Sequence, residues 1–170
     1  RRSAHRLWWV TEAGDLRTQS RAGGTEDRVG GHPAGDAVAL LAISDDRAVT
    51  QQGGVLRMWK TRGTGEPVWQ GRARRPVARA ALSPDGRRLA IGTMDGWLEV
   101  LDTDGTAQFS AQVYDGGDVV VDGVNYGAVA RDISELAWSE DGRWVAGVSQ
   151  RTGRRKVCRL STGTCLDERH

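Results

Sequence analysis

Histidine, cysteine and phenylalanine are scarce in this chain of 170 residues, which has three, two and one of them. Two of the three histidines, His5 and His170, lie near the chain ends, so a Ser-His-Asp or Cys-His arrangement would need residues in poor positions. The sequence also has no phosphate-binding loop ending in Gly-Lys-Ser/Thr, no dinucleotide glycine fingerprint and no His-Glu pair on a helix. We therefore predict no catalytic site, no cofactor and no metal site.

Long apolar runs are absent as well, so the sequence predicts no membrane segment. The chain begins without methionine and without a signal-peptide pattern, and we expect that it starts inside a longer protein in a cytoplasmic setting. An extracytoplasmic setting stays open. Twenty-four basic and 22 acidic residues give a net charge of +2 with both signs interspersed, so we expect no nucleic acid partner.

The two cysteines, Cys158 and Cys165, lie on either side of a predicted hairpin turn. If Ser161-Thr162 is the turn, the cysteines are directly opposite each other; if Thr162-Gly163 is the turn, they are diagonal neighbours. Glycine is better used inside the turn, which favours the diagonal register. Such a pair could form a disulfide or stay as two thiols, and we expect thiols because the predicted setting is cytoplasmic.

The stretch from Val77 to Gly105 contains three alternating apolar runs that are separated by Asp-Gly pairs. Asp-Gly tolerates positive φ at little cost, so each pair predicts a turn and the whole stretch predicts a three-stranded meander. The predicted strands run over Val77 to Leu82, Arg88 to Thr93 and Trp97 to Asp102. A further strand over Ala107 to Gln112 follows on the outside.

The same pattern returns at a regular distance along the chain. Ser44 and Ser83 lie 39 residues apart, close to the period of about 40–45 residues of four-stranded propeller blades. Ser83 and Ser139 lie 56 apart, which leaves room for an inserted hairpin near residues 113–127. We predict an all-β fold, a partial β-propeller of about four four-stranded blades, the first one incomplete. The predicted blades cover residues 6–36, 37–76, 77–127 and 128–170.

Apolar and aromatic residues also carry predictions about the core. Ala37 to Ser44 is a nearly continuous apolar run, which is typical of a strand buried on both faces. Seven tryptophans are spread along the chain, and in repeated β structures such rings mostly fill the space between packed sheets. We therefore expect most of them, Trp138 and Trp144 included, in the core.

Two segments carry a resemblance to a known family. The segment SPDGRRLAIGTMDGWLEVLD from Ser83 to Asp102, with its partner SEDGRWVAGVS from Ser139 to Ser149, resembles the WD-repeat β-propeller family, especially its divergent bacterial members. The blades depart from the family pattern, because Trp59-Lys60 stands where the repeat usually ends in Trp-Asp and only Gly31-His32 is similar to the Gly-His pair that opens a blade. The resemblance therefore implies an incomplete version of the family's buried network of His, Ser or Thr, Asp and Trp.

In one blade Thr93 and Asp95 could supply two members of that network, without a histidine. The resemblance implies a non-catalytic scaffold for protein–protein interaction, or a sensor or regulatory domain of a larger bacterial signalling protein. The alternative is a ligand-binding or enzymatic propeller, which could be extracytoplasmic. Apolar or small residues at the inner-strand starts, Ala37, Val77 and Ile133, favour the scaffold.

Propellers close rings of about four to eight blades, and fewer than four complete blades would leave two open ends with apolar faces exposed. We therefore expect a seven- or eight-bladed ring, completed by a protein partner or by another part of the same protein. Short arginine clusters lie between predicted strands and could form a rim that attracts an acidic partner. Alternatively, they are charged loops that keep a sheet edge soluble. The candidate rim residues are Arg72, Arg74, Arg75, Arg151, Arg154 and Arg155.

Overall fold

The computed structural model describes residues 6–113, 120–121, 124–125, 132–149 and 153–169. These residues form seventeen β-strands, and none of them is helical, which confirms the all-β prediction. The strands are β1 (Arg6–Val10), β2 (Asp15–Ser20), β3 (Asp27–Gly31), β4 (Val38–Ile43), β5 (Arg47–Gln52), β6 (Val55–Lys60), β7 (Trp69–Arg72), β8 (Val77–Leu82), β9 (Arg88–Thr93), β10 (Trp97–Asp102), β11 (Ala107–Gln112), β12 (Val120–Val121), β13 (Val124–Asn125), β14 (Glu135–Trp138), β15 (Trp144–Ser149), β16 (Arg154–Arg159) and β17 (Cys165–Arg169).

Within each sheet, strands that follow one another in sequence pair antiparallel. Three sheets have four strands each, in the orders β4-β5-β6-β7, β8-β9-β10-β11 and β14-β15-β16-β17. The first sheet, β1-β2-β3, has only three, as expected for an incomplete first blade. Strands β12 and β13 pair with each other inside the segment where an inserted hairpin was expected, and most of that segment lies outside the described residues.

The chain divides into two compact units. Unit 1 contains the described residues up to Ala73 and the segment Thr103–Thr106, and therefore the sheets β1–β3 and β4–β7. Unit 2 contains Arg74–Asp102 and the described residues from Ala107 onward, with the sheets β8–β11 and β14–β17.

In unit 1 the core lies between its two sheets. Leu16 of β2 and Ala48 of β5 are fully buried there, and Trp8 of β1 packs with them while its Nε1–H donates to Ser44 O at 3.1 Å. Trp59 of β6 completes this core at 1% exposure. Two of the seven tryptophans are thus buried between sheets, and the indole N–H of Trp8 finds the partner that a buried Trp requires.

In unit 2 the core forms around Ile133, which is fully buried against β9 and β15. Gly92 of β9 lacks the side chain that would otherwise occupy the space of the Ile133 side chain. Trp138 of β14 is half-buried at the edge of this core and donates its Nε1–H to Ala81 O at 3.1 Å. Trp144 is also half-buried, under the guanidinium of Arg159, so neither Trp is as deeply buried as the sequence predicted.

A serine turn recurs between the first and second strands of the three four-stranded sheets. The Ser83 hydroxyl donates to Asp85 at 2.6 Å and accepts the backbone N–H of Arg88 at 2.9 Å. The same arrangement occurs at Ser44–Asp46 and at Ser139–Asp141. This shared turn gives a physical reason for the Ser-x-Asp repeat, because it satisfies the first backbone donor of each second strand.

The prediction that the apolar run from Ala37 to Ser44 is buried on both faces is wrong. In β4 only Ala42 is buried, and Ile43 is 44% exposed. The reason is that one face of β4 packs on the core of unit 1, where Leu40 lies, whereas Ala39 and Ile43 on the other face stay exposed. By contrast β9, which has a strand on each side, is buried from Leu89 to Thr93.

The predictions for the cysteines are also wrong. Cys158 lies directly opposite Cys165, and a disulfide joins them. The connecting loop has four residues, because Gly163 N–H donates to Arg159 O at 2.9 Å and Arg159 N–H donates to Thr164 O at 2.8 Å. Gly163, with φ of 67°, ends this loop instead of forming the centre of a two-residue turn, so the register is the one with opposed cysteines.

Candidate functional site

At one end of the sheet β8–β11, the turn between β9 and β10 lies beside the segment that precedes β8. The backbone N–H of Met94 donates to Pro76 O at 2.9 Å and joins the two segments. We call this end of the sheet the Asp95 edge. It comprises Arg74, Arg75, Met94, Asp95, Trp97 and Glu99.

Thr93 and Asp95 fix the turn of the Asp95 edge. Thr93 is 1% exposed, and its hydroxyl donates to Asp95 Oδ1 at 2.5 Å while it accepts the backbone N–H of Trp97 at 2.9 Å. The pairing of Thr93 with Asp95 is the one that the family resemblance suggested. Two bonds to one buried hydroxyl leave the turn little freedom to move.

Arg75 occupies the centre of the Asp95 edge. Its guanidinium forms an ion pair with Asp95, lies 3.6 Å from Glu99 Oε1 and stacks over the Trp97 ring at 4.4 Å from the ring centroid. Burial is the largest influence on Asp95 and raises its pKa, but the hydrogen bonds from Thr93 and Arg75 and the positive charge of Arg75 together hold this pKa below its usual value. Arg75 is therefore held in one orientation by a charge pair and by cation–π contact.

Arg74, the residue before Arg75, is exposed, and among the described residues it makes no ion pair. Met94 at the tip of the turn is 57% exposed. In unit 2 the Asp95 edge thus presents a solvated cation and an apolar side chain on a fixed frame. In unit 1, Arg72 ends β7 and is exposed in the same way.

Arg154 and Arg155, two of the other candidate arginines, lie at the start of β16. Arg155 forms an ion pair with Glu168 of β17 at 3.1 Å, and its neighbour Lys156 donates to Gln112 O at 2.7 Å. Arg154 is half-buried and has an interaction partner. Arg151 lies outside the described residues. The part that these arginines play in binding stays a prediction.

A buried chain of hydrogen bonds lies in unit 1. Trp59 Nε1–H donates to Thr50 Oγ1 at 2.8 Å, and Thr50 Oγ1 lies 2.8 Å from His32 Nε2. The other ring nitrogen, His32 Nδ1, lies 2.8 Å from Gly14 O. Because a carbonyl only accepts, Nδ1 carries the hydrogen and the Thr50 hydroxyl donates to Nε2 in the neutral ring. All three side chains are therefore satisfied without an acid.

This hydrogen-bond network contains three of the four residue types that the family resemblance implied, and Gly14 O takes the place of the aspartate. The sequence prediction noticed His32 but not its link to Thr50 and Trp59. A signal was available in the spacing, because Thr50 follows His32 by 18 residues and Trp59 follows Thr50 by nine.

His32 makes the stability of unit 1 depend on pH. Burial lowers the pKa of His32 below its usual value, the hydrogen bond to Gly14 O opposes this, and the charge of Arg57 adds to the lowering. The unfolded chain therefore binds a proton at a higher pH than the folded chain does. The stabilisation by neutral His32 is complete above the unfolded pKa of about 6.5 and is lost as pH falls through the folded pKa.

We expect the free energy of unfolding to fall between pH 7.5 and pH 5.5, as measured by urea unfolding at each pH. His32→Gln removes the titrating group, so the profile of this variant should be flatter over the same interval. Equal slopes for the two proteins would show that His32 does not titrate with folding.

Two negative observations apply to the described part of the chain. It contains no group of three or more His, Cys, Asp or Glu side chains that could hold a metal ion. It also contains no helix with the length and apolar character needed to span a bilayer.

No protein-family model matches this chain, and no curated protein matches it in sequence. Solved structures are similar in fold. One is a chain in the crystal structure of the mitotic checkpoint complex, with a TM-score of 0.70 and 14% identity, over 95% of this chain and 46% of that one. Another is BamB from Moraxella catarrhalis, with a TM-score of 0.58 and 22% identity, over 95% of this chain and 45% of that one.

These likenesses concern the fold, because both identities are below 25%. This chain spans slightly less than half the length of either protein. Both neighbours are propeller proteins, and the antiparallel sheets with sequential strand order agree with them. The four large sheets of this chain are blades of a β-propeller.

Proposed function

We propose that this chain is a non-catalytic protein-interaction scaffold that binds an acidic segment of a partner protein through its arginine-bearing sheet edges. The observation that carries this proposal is the Asp95 edge, where Arg75 is fixed by Asp95, Glu99 and Trp97 while its neighbour Arg74 is solvated. A fixed frame lowers the entropy that is lost when a partner binds. The exposed cation supplies attraction for a carboxylate, which acts mainly on the association rate.

The proposal also includes the other candidate arginines. These are Arg72, Arg154 and Arg155, together with Arg151, which lies outside the described residues. Arg155 is already paired with Glu168, so it contributes less free charge than Arg72 and Arg74. An acidic partner must compete with that pair. We therefore assign the largest contribution in unit 2 to Arg74.

A protein partner, or another part of the same protein, also completes the ring in this proposal. The two similar structures are about twice as long as this chain, which supports a seven- or eight-bladed whole. The finer assignment is a WD-repeat type of bacterial propeller that acts as a sensor or regulatory domain in a signalling protein. It rests on the Ser83 to Asp102 resemblance and on the Thr93–Asp95 pair.

The cellular setting is part of the same proposal. Our expectation from the sequence is the cytoplasm, whereas the Cys158–Cys165 disulfide favours the extracytoplasmic alternative, since disulfides persist in oxidising compartments. A mass measurement on the native chain, alkylated before any reductant is added, separates the two. A bridged chain supports the extracytoplasmic setting, and two alkylated thiols support the cytoplasmic one.

We expect Arg74→Ala to weaken binding of an acidic peptide. With a fluorescein-labelled peptide of ten glutamates as the probe, the Kd measured by fluorescence anisotropy should rise about two- to fivefold, the range of one exposed charge pair. The effect should shrink as salt is added, because exposed charges are screened.

Arg87→Ala is the matched control. Arg87 is an exposed arginine at the opposite end of the same sheet, in the turn between β8 and β9. Because each variant removes one arginine, Arg87→Ala and Arg74→Ala have the same net charge. Its Kd should stay within error of the wild-type value. If both variants weaken binding equally, attraction depends on net charge alone and the Asp95 edge is not the site.

A further inference from the structure

The Cys158–Cys165 disulfide ties the last strand of unit 2 to its sheet. We propose that this bridge is a thiol–disulfide exchange site, at which a dithiol reductant attacks Cys165 Sγ. Reduction then loosens β17 while the rest of the sheet stays folded. This inference concerns a different part of unit 2 from the Asp95 edge and does not depend on binding there.

The two sulfur atoms of the bridge differ in access. Cys158 is fully buried in the core of unit 2, on β16, with β15 and Val145 on its other side. Cys165 is only half-buried and lies on β17, which has β16 as its single neighbour. Exchange requires a thiolate to reach one sulfur of the bridge. Cys165 is therefore the more accessible half of the bridge, and its Sγ is the sulfur that the proposal assigns to attack.

The chemistry balances in two steps. A thiolate of the reductant attacks Cys165 Sγ, forms a mixed disulfide and breaks the bond to Cys158 Sγ, which leaves with the electron pair and takes a proton. The second thiolate of the reductant then attacks its own sulfur in the mixed disulfide, and Cys165 leaves and takes a proton. Two electrons and two protons pass to the protein, and the reductant becomes a disulfide.

After reduction β17 keeps its backbone ladder to β16 and two ion pairs. Those pairs are Arg155 with Glu168 at 3.1 Å and Lys156 with Asp167 at 3.2 Å. The acid side chains are 50% and 71% exposed, so the pairs hold β17 weakly. An edge strand with exposed contacts belongs to the least stable part of a sheet. Loss of the covalent tie should therefore act on β17 first.

The first experiment locates the attacked sulfur. The full chain, purified without reductant, is incubated briefly with glutathione, a monothiol whose first attack leaves a mixed disulfide. The freed thiol is capped with N-ethylmaleimide before a second glutathione attacks. Trypsin separates the cysteines, since Arg159 lies between them. We expect glutathione on the peptide 160–169, which contains Cys165, and N-ethylmaleimide on the peptide 157–159, which contains Cys158.

Three results would overturn the proposal. They are the reverse assignment of the two labels, a chain that is already alkylated at both cysteines without reductant, and a bridge that reacts only after urea unfolds the chain. A urea-unfolded sample serves as the control, and there both peptides should carry glutathione.

The second experiment measures amide hydrogen exchange before and after reduction with dithiothreitol. We expect amides in residues 165–169 to exchange about tenfold faster in the reduced chain, and amides of β15 to be unchanged. The variant Cys158→Ser/Cys165→Ser should match the reduced chain and ignore dithiothreitol. If that variant does not fold, Cys165→Ser alone, which leaves Cys158 in the core, gives the same comparison. Unchanged exchange in β17 would contradict the proposal.

Discussion

Replacing Trp59 by alanine should lower the free energy of unfolding of unit 1 by about 3–5 kcal/mol. The ring is 1% exposed between the two sheets of the unit, its N–H bonds to Thr50, and it contacts His32 at a centroid distance of 5.0 Å. Alanine leaves a cavity and deprives the Thr50 hydroxyl of its donor. This loss is a large fraction of the free energy of unfolding of a typical domain, which is roughly 5–15 kcal/mol.

Urea unfolding measured by far-UV circular dichroism tests this expectation, with amide exchange in β5 and β6 to assign the effect to unit 1. Trp59→Phe fills most of the space but lacks the N–H, so it should cost less than alanine. Trp144→Ala, which removes a half-buried ring in unit 2, is the matched control and should leave exchange in β5 and β6 unchanged. Equal losses for Trp59→Ala and Trp144→Ala would contradict the central place of Trp59.

The strands that the sequence predicted best are those whose ends are fixed by local turns. β8, β9 and β10 have the predicted bounds, because Asp-Gly turns and the Ser83 hydroxyl end each strand within a few residues. The errors at β4 and at the cysteines have another origin. Burial of both faces of β4 depends on what packs against the sheet. The register of Cys158 depends on a connecting loop of four residues, where the sequence predicted a two-residue turn.

In the candidate site, too, the sequence predicted the contact between residues that are close along the chain and missed the contact between distant ones. Thr93 and Asp95 are two residues apart, so their pairing could be proposed from the sequence. Arg75 and Asp95 are 20 residues apart, and their contact forms only when the segment before β8 lies beside the turn after β9. A repeat pattern shows where turns occur, but it does not specify which side chain of one segment meets which residue of the next.

The two units differ in the chemistry of the polar contacts at His32 and at Arg75. In unit 1 a neutral histidine meets a hydroxyl and a carbonyl oxygen, and all partners are satisfied without charge. In unit 2 an arginine meets two carboxylates and remains partly solvated. The second arrangement leaves charge near the surface, and for this reason our proposal assigns partner binding to the Asp95 edge and not to His32.

We expect the second large effect on the free energy of unfolding at the contact between Gly92 and Ile133. Ile133→Ala should cost about 2–5 kcal/mol, because Ile133 is fully buried in the core of unit 2. Gly92→Ala should cost about 1–3 kcal/mol for the opposite reason, overpacking. A Cβ at Gly92 would lie 2.6 Å from both Cβ and Cγ2 of Ile133. Backbone strain is not the cause, since Gly92 does not have positive φ.

Gly147→Ala is the matched control for this contact. Gly147 lies in β15, and a Cβ there would meet Ile133 Cδ1 at 3.5 Å and Val113 Cγ2 at 3.3 Å, distances that small shifts relieve. In an extended strand, alanine also reduces the entropy of the unfolded chain, so this variant should change stability by less than about 1 kcal/mol. Similar losses at Gly92 and Gly147 would show that the close approach of Ile133 is not the reason for glycine.

Urea unfolding of Gly92→Ala, Ile133→Ala and the double variant completes a thermodynamic cycle. The double variant should lose less than the sum of the single losses, by about 0.5–3 kcal/mol, since the residues are in contact. The relief is partial, because alanine at residue 133 keeps the Cβ that lies 2.6 Å from the new methyl group. Strict additivity would mean that the Gly92 methyl group is accommodated by movement of β9, not by Ile133. The sign of the coupling thus tests whether the absent side chain of Gly92 is what admits Ile133 to the core.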